Sequence, residues 1–263
     1  LMPPIREAMN AAVKAQSIPG GVLWMESGSK PVCEAFGNRM VDPKIAPMTT
    51  DVIFDAASLT KVLATAPSIM LLIQEGKLTL ETPVTSIIPD FTGGGKEKIT
   101  VRHLLTHTSG TRAGIPPERN FSNYKEGVAA AAAELLQSEP GERFRYSDIN
   151  YILLGDIVRR VSGSDLDDFA GARIYKPLGM TDTGYRPSSR KRDRIAPTTR
   201  EPAGLVHGVV HAPSCRRMGG VAGHAGIFTT AADVAKYCRM LLNGGRSASG
   251  AQVLSAASVR LFT

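Results

Sequence analysis

The apolar positions of this chain fall into a few periodic runs separated by breaks rich in glycine and proline. Ile5 to Gln16 has helical spacing and stops at Pro19-Gly20-Gly21, residues that favour a turn. Gly21 to Met25 and Pro31 to Gly37 read as strands flanking Ser27-Gly28-Ser29, a hairpin pattern. Between Leu59 and Glu75 the apolar residues 59, 62, 63, 66, 69, 70 and 73 make one helical stripe that Gly76 ends, so Ser58 is expected at a helix N-terminus. Helices are also predicted over Val101 to Thr106, Gly127 to Gln137, Asn150 to Ser162 and Ala231 to Leu242, and the last residues, Val259 to Thr263, read as part of another.

Strand, long helical stretch and a return toward strand imply an α/β (α+β) arrangement, an antiparallel sheet flanked by helices and drawn from both chain ends. The expected organisation is an α/β region over 1–57, a mainly helical insertion over 58–218, and a return to the α/β region over 219–263. No internal repeat is visible. A lone hairpin is marginal without further strands or a covering helix, so the sheet is expected to be incomplete here and the chain to lack a C-terminal part.

Composition adds little to this and excludes some functions. With 263 residues, 43% hydrophobic and 21% charged, the chain resembles an ordinary soluble globular protein and has no run of eighteen uninterrupted apolar residues, so no membrane span is expected. The net charge of +7 is scattered except at Arg190-Lys191-Arg192-Asp193-Arg194. That cluster reads as a solvated loop, because no aromatics interleave with it as stacking on nucleic acid would require. Cys33, Cys215 and Cys238 lack metal or disulfide spacing and are expected to be buried small hydrophobes. His207 and His211 lie four apart without the helical or acidic context of a metal site, so no metal or cofactor is expected. Leu1-Met2-Pro3-Pro4 does not begin a signal peptide, which is expected to be absent or already removed.

The chemistry is concentrated in Ser58-Leu59-Thr60-Lys61. Residues three apart on a helix share a face, so the lysine amine can meet the serine hydroxyl, and the helix N-terminus favours a developing oxyanion. A serine at rest is a weak nucleophile and needs such a base. Taken alone, the tetrapeptide is better read as Ser58 capping the helix and Lys61 pointing to solvent. Tyr146-Ser147-Asp148 shifts the balance, since a phenol near a lysine can relay a proton.

Five ordered stretches, namely Phe54 to Lys61, Val101 to Gly110, Phe144 to Gly155, Pro177 to Thr183 and Gly219 to Tyr237, resemble the serine β-lactamase and penicillin-binding-protein superfamily. The likeness is strongest to class C β-lactamases and to the carboxylesterases and D-alanyl-D-alanine peptidases related to them. It implies a β-lactamase/transpeptidase-like fold and an acyl-enzyme on Ser58, with Lys61 and Tyr146 exchanging the proton and the Ser58 N–H as one oxyanion donor. His103 and His107 are then structural, and no Ser-His-Asp triad is implied. Asp148 and His224 are expected at the substrate site. Where such β-lactamases have asparagine, Asp148 accepts but cannot donate when ionised, which favours small esters over β-lactams and cell-wall peptides. The family's third motif, Lys-Thr-Gly or His-x-Gly on a strand, has no match; His224-Ala225-Gly226 comes too early and directly before a helix. Weak activity of this chain is the corresponding expectation. The implied partner is a small ester or β-lactam-like substrate, the implied location periplasmic or secreted, and oligomeric state is left open. A non-catalytic binding protein on the same fold is the competing reading from another class.

Overall fold

The computed structural model describes residues 2–28 and 30–263; Leu1, and Ser29 of the expected turn, lie outside the described residues. Helix α1 (Met2–Lys14) precedes strands β1 (Gly20–Ser27) and β2 (Lys30–Met40), which pair antiparallel from Gly20↔Gly37 to Ser27↔Lys30. The hairpin exceeds its predicted strands because the pairing continues without a break to Gly20↔Gly37 at one end and Ser27↔Lys30 at the other. Arg6 on α1 donates from Nε to Glu34 on β2 at 2.8 Å, tying the helix to the sheet. Strand β3 (Ala46–Pro47) adds to β2 and completes a sheet of order β1-β2-β3.

The short strand β4 (Phe54–Asp55) leads into the Ser58 segment, which continues as α2 (Ala66–Gln74). Helices α3 (Val101–Leu105), α4 (Tyr124–Ala133), α5 (Asp148–Ser162), α6 (Leu166–Ala170) and α7 (Lys176–Leu178) follow. Strands β5 (Gly184–Tyr185), β6 (Thr199–Glu201) and β7 (Gly204–Val206), helix α8 (Pro213–Arg217), strand β8 (Ile227–Thr229) and helices α9 (Ala231–Leu242) and α10 (Ala256–Phe262) complete the order. A second sheet, β4-β8-β5, joins residues remote in sequence beside the Ser58 turn, and β6 and β7 form a separate pair. These are the antiparallel sheets and packed helices of the β-lactamase/transpeptidase-like fold.

The core is held mainly by α2 and α5. Ile69 and Leu72 from the first and Ile149, Ile152, Leu153, Leu154 and Ile157 from the second are fully buried among Phe91, Ile99 and Leu104. Each such side chain contributes roughly 1.5–3 kcal/mol on burial. Residues 57–74 have the length and apolarity of a membrane-crossing helix, but 67% of that window lies buried inside the protein, which accounts for its composition.

Three expectations are corrected. The alanine-rich helix begins three residues before Gly127, where Asn123 Oδ1 accepts from the Glu126 N–H at 3.0 Å, and ends at Ala133 rather than Gln137. Glu134 turns extended because its carboxylate is buried toward Arg112 and Arg119, and the Gln137 N–H donates to the Gly110 carbonyl at 2.8 Å. The basic cluster is a 3-10 turn, Ser189–Arg194, and no fully solvated loop. Arg194 forks onto Asp182 at 3.0 and 2.8 Å and reaches Asp51 at 2.8 Å, while Lys191 meets Asp182 at 2.9 Å. Of the cysteines, Cys215 is buried as expected, whereas Cys33 is half-buried and Cys238, on α9, is exposed.

Candidate active site

Ser58 sits within an irregular helical start. Ala57–Leu59 is a 3-10 turn, Lys61–Thr65 a π turn, and only then does α2 become regular, so Ser58 is one residue inside the first turn and does not cap it. Ala57 takes a left-handed φ of 46°, a strained position for a side-chain-bearing residue. The strain is held by neighbours: the Ala57 N–H donates to Asp55 Oδ1 at 2.9 Å, and Thr60 Oγ1 donates to the Ala57 carbonyl at 2.7 Å. Thr60 Oγ1 also accepts from the Ile227 N–H of β8 at 3.2 Å. Single π turns occur often at functional sites, and here the Tyr237 hydroxyl donates to the Val62 carbonyl within the turn at 2.8 Å. Ser58 is left exposed and Lys61 buried.

Tyr146-Ser147-Asp148 arrives from the entry to α5. Ser147 caps that helix, donates to the Arg112 carbonyl at 2.7 Å and lies 3.0 Å from Thr111 Oγ1. Asn150 Oδ1 accepts from Ser109 Oγ at 2.6 Å and Thr111 Oγ1 at 2.8 Å, and the Asp148 N–H donates to the Ala113 carbonyl at 2.7 Å. Residues 107–113 therefore form the seat of the tyrosine segment. His107, at a left-handed φ of 59°, accepts the Ser147 N–H on Nδ1 at 3.1 Å, which places its proton on Nε2. Its ring lies 4.6 Å from the Tyr146 ring and 5.0 Å from that of Tyr151. Burial, and then the Lys61 charge, push His107 down to about 4, so it is neutral at pH 7.

A third segment closes around Lys61 from the opposite side. Gly223 lies so close to α5 that a Cβ there would be 1.9 Å from the Tyr151 carbonyl oxygen, which only glycine avoids. The Gly223 carbonyl accepts from Thr65 Oγ1 at 2.7 Å and the His224 carbonyl from Lys61 Nζ at 3.0 Å. Lys61 Nζ thus has three oxygen neighbours, with Ser58 Oγ at 3.1 Å and Asp148 Oδ1 at 2.8 Å the other two. The Tyr146 ring centroid lies 4.8 Å from the same nitrogen. Lys61 Nζ can thus donate one hydrogen to each of Asp148 Oδ1, the His224 carbonyl and Ser58 Oγ.

Ser58, Lys61, Tyr146 and Asp148 therefore converge, although Asp148 meets the site through Lys61. The position of His224 is a correction: its ring, expected at the substrate site, is 1% exposed, with Nε2 2.8 Å from Ser214 Oγ, so it does not face the site and only its carbonyl reaches Lys61. Burial pushes this imidazole down to about 4 as well. His103 caps α3 with Thr100, and His207 Nε2 lies 3.0 Å from the Ile195 carbonyl. Sequence patterning missed Thr60, Thr65, Ser109, Thr111 and Asn150; Thr-Ser-Gly-Thr at 108–111 was the one local signal for part of this set. A hollow of about 820 Å³ between β1 and α9 is walled by Trp24, Leu59, Val234 and Leu242 and does not include Ser58.

Comparison with known proteins identifies the family. The chain is 33% identical over 251 residues to a putative D-alanyl-D-alanine carboxypeptidase of Escherichia coli K12, a match covering 82% of this chain and 56% of the relative. The chain thus spans about half the length of the curated relatives it matches. It superposes on the octameric penicillin-binding protein homologue from Pyrococcus abyssi with a TM-score of 0.78 at 25% identity, over 98% of this chain and 58% of the other. A class C β-lactamase from Rhodobacter sphaeroides shares the fold with a TM-score of 0.77 at 22% identity, over 97% of this chain and 68% of the other. The beta-lactamase family model matches residues 5–263, and the chain belongs to that family of serine hydrolases.

Proposed function

We propose that this chain forms an acyl-enzyme on Ser58 and acts on small carboxylic esters. The carrying observation is Lys61 Nζ, 3.1 Å from Ser58 Oγ with Asp148 and the His224 carbonyl occupying its other directions. In this reading Ser58 Oγ attacks the acyl carbon, its proton passes to Lys61 and Tyr146, and the alcohol leaves with that proton. Water activated by the same pair then attacks the ester on Ser58 and frees the acid. The Ser58 N–H is one oxyanion donor; with no second donor assigned from a third motif, turnover by this chain alone is expected to be lower on the order of 10²–10³-fold.

The choice of esters rests on Asp148. An ionised carboxylate offers no donor to the amide carbonyl of a β-lactam or peptide, and here one of its oxygens already accepts from Lys61. The printed name of the curated relatives favours a second reading, D-alanyl-D-alanine carboxypeptidase activity. Turnover of a short-chain p-nitrophenyl ester, a chromogenic cephalosporin and a D-alanyl-D-alanine peptide by the same preparation separates the two, and preference for either of the latter overturns the ester assignment. A fluorophosphonate should add one mass adduct to the chain and none to Ser58→Ala. Ester turnover that persists in Ser58→Ala would refute the nucleophile, and absence of both turnover and adduct in the parent would favour a binding protein.

A further inference from the structure

The four carbonyls of Ala222 to Ala225 each accept from a different side chain. Ala222 takes the Tyr185 hydroxyl at 3.2 Å, Gly223 takes Thr65 Oγ1 at 2.7 Å, His224 takes Lys61 Nζ at 3.0 Å and Ala225 takes the Cys215 thiol at 3.1 Å. Irregular, bent backbone outside any sheet is thereby held at every step, and the carbonyl facing Lys61 is fixed by its neighbours. The His224 ring anchors the middle of this run. It is buried, its Nε2 is 2.8 Å from Ser214 on α8, and its Nδ1 has no hydrogen-bond partner among the described residues. A buried ring that leaves one nitrogen unsatisfied costs stability on the order of 1–3 kcal/mol relative to a well-packed apolar side chain. Its retained contacts are Ser214 through the ring and Lys61 through the main chain.

We propose that His224 is a positioning residue for Lys61: its ring, held by Ser214, keeps its own carbonyl on the Lys61 amine and so keeps that amine on Ser58. The inference rests on the acyl-enzyme reading given above. Asp148 supplies one fixed direction to the amine and the His224 carbonyl the second, and two directions are needed to aim the third at Ser58. Ser214 acts at one further remove, through the imidazole.

The test is the rate at which a fluorophosphonate labels Ser58, read by intact mass on the 263-residue chain and its variants. In the labelling step Ser58 Oγ bonds to phosphorus, the P–F bond breaks, fluoride leaves and the serine proton passes to Lys61. Ser214→Ala trims one hydroxyl and His224→Phe fills the ring volume without a polar atom; both are expected to label about 10-fold or more slowly, since misplacing a reacting group by about 1 Å costs up to 10²-fold. His224→Gln, whose amide can still reach Ser214, is expected to restore most of the rate, which a purely space-filling role would not predict. Parental labelling in Ser214→Ala, or a Gln variant as slow as the Phe variant, overturns the positioning role and leaves Ser58 as nucleophile. Failure of the parent chain to label at Ser58 overturns the acyl-enzyme reading, and this inference with it.

Discussion

Acidification from pH 7 to pH 5 should destabilise this protein through two histidines that the folded chain keeps neutral. His107 and His224 are both held down to about 4, by burial first in each case. In the unfolded chain each returns to about 6.5. Above that value neither state binds the proton and the full stability is present. As the pH falls below it the unfolded chain is protonated and the folded one is not, so stability drops until about pH 4, where the folded rings titrate too. One and a half pH units at about 1.36 kcal/mol per unit gives about 2 kcal/mol from each ring at pH 5, or about 4 kcal/mol together. That is a large share of the 5–15 kcal/mol typical of a domain. Asp182 and Glu97, held at about 2, lose their contribution as the pH falls from the ordinary carboxylate range to about 2, a window that lies mostly below pH 5. Urea unfolding followed by circular dichroism at pH 7, 6 and 5 reads the loss. His107→Asn is the informative variant: asparagine tolerates the left-handed backbone at 107 and offers an acceptor to the Ser147 N–H, but does not titrate. Its stability should fall with pH about half as steeply as the parent's, and an unchanged slope would refute the assignment.

Other substitutions test the scaffold under the site. Gly223→Ala forces a methyl against the Tyr151 carbonyl and should cost about 3 kcal/mol or more, measured as a lowered urea midpoint. Thr60→Val removes a hydroxyl that bonds both the Ala57 carbonyl and the Ile227 N–H, and should cost about 1–3 kcal/mol while slowing Ser58 labelling; an unchanged midpoint would refute the role given to Thr60.

The long elements were legible because their burial is periodic. α9 begins and ends at the residues expected, and the hairpin and α5 differ only at their ends. The strands β4, β5 and β8 were not, since two or three residues carry no alternation, and their pairing across the chain is a tertiary outcome. The end of α4 failed for a related reason: alanines and glutamate favour helix locally, but the burial of Glu134 toward two arginines prevails. At the site, Ser58, Lys61 and Tyr146 could be picked out because the ordered stretches around them resemble a known family, whereas Ser-x-x-Lys alone is common. The carbonyls of Gly223 and His224 could not, because every residue has a carbonyl and only the fold decides which one meets an amine.

The π turn at Lys61–Thr65 makes the number of residues in this stretch as constrained as their identity. A π turn holds one residue more than an α turn, and each residue advances a helix by about 100°. Deleting any one of Lys61 to Thr65 would leave a more regular helix, yet it would rotate Ser58 by about a quarter turn away from Asp148 and the 222–225 segment. Conservative substitutions at Val62 to Ala64 leave this spacing intact, whereas a single-residue insertion or deletion between Ser58 and Ala66 would dismantle the site while improving the helix. Length variation among functional descendants of this sequence should therefore collect in exposed loops such as Gly93–Gly95 and be excluded here.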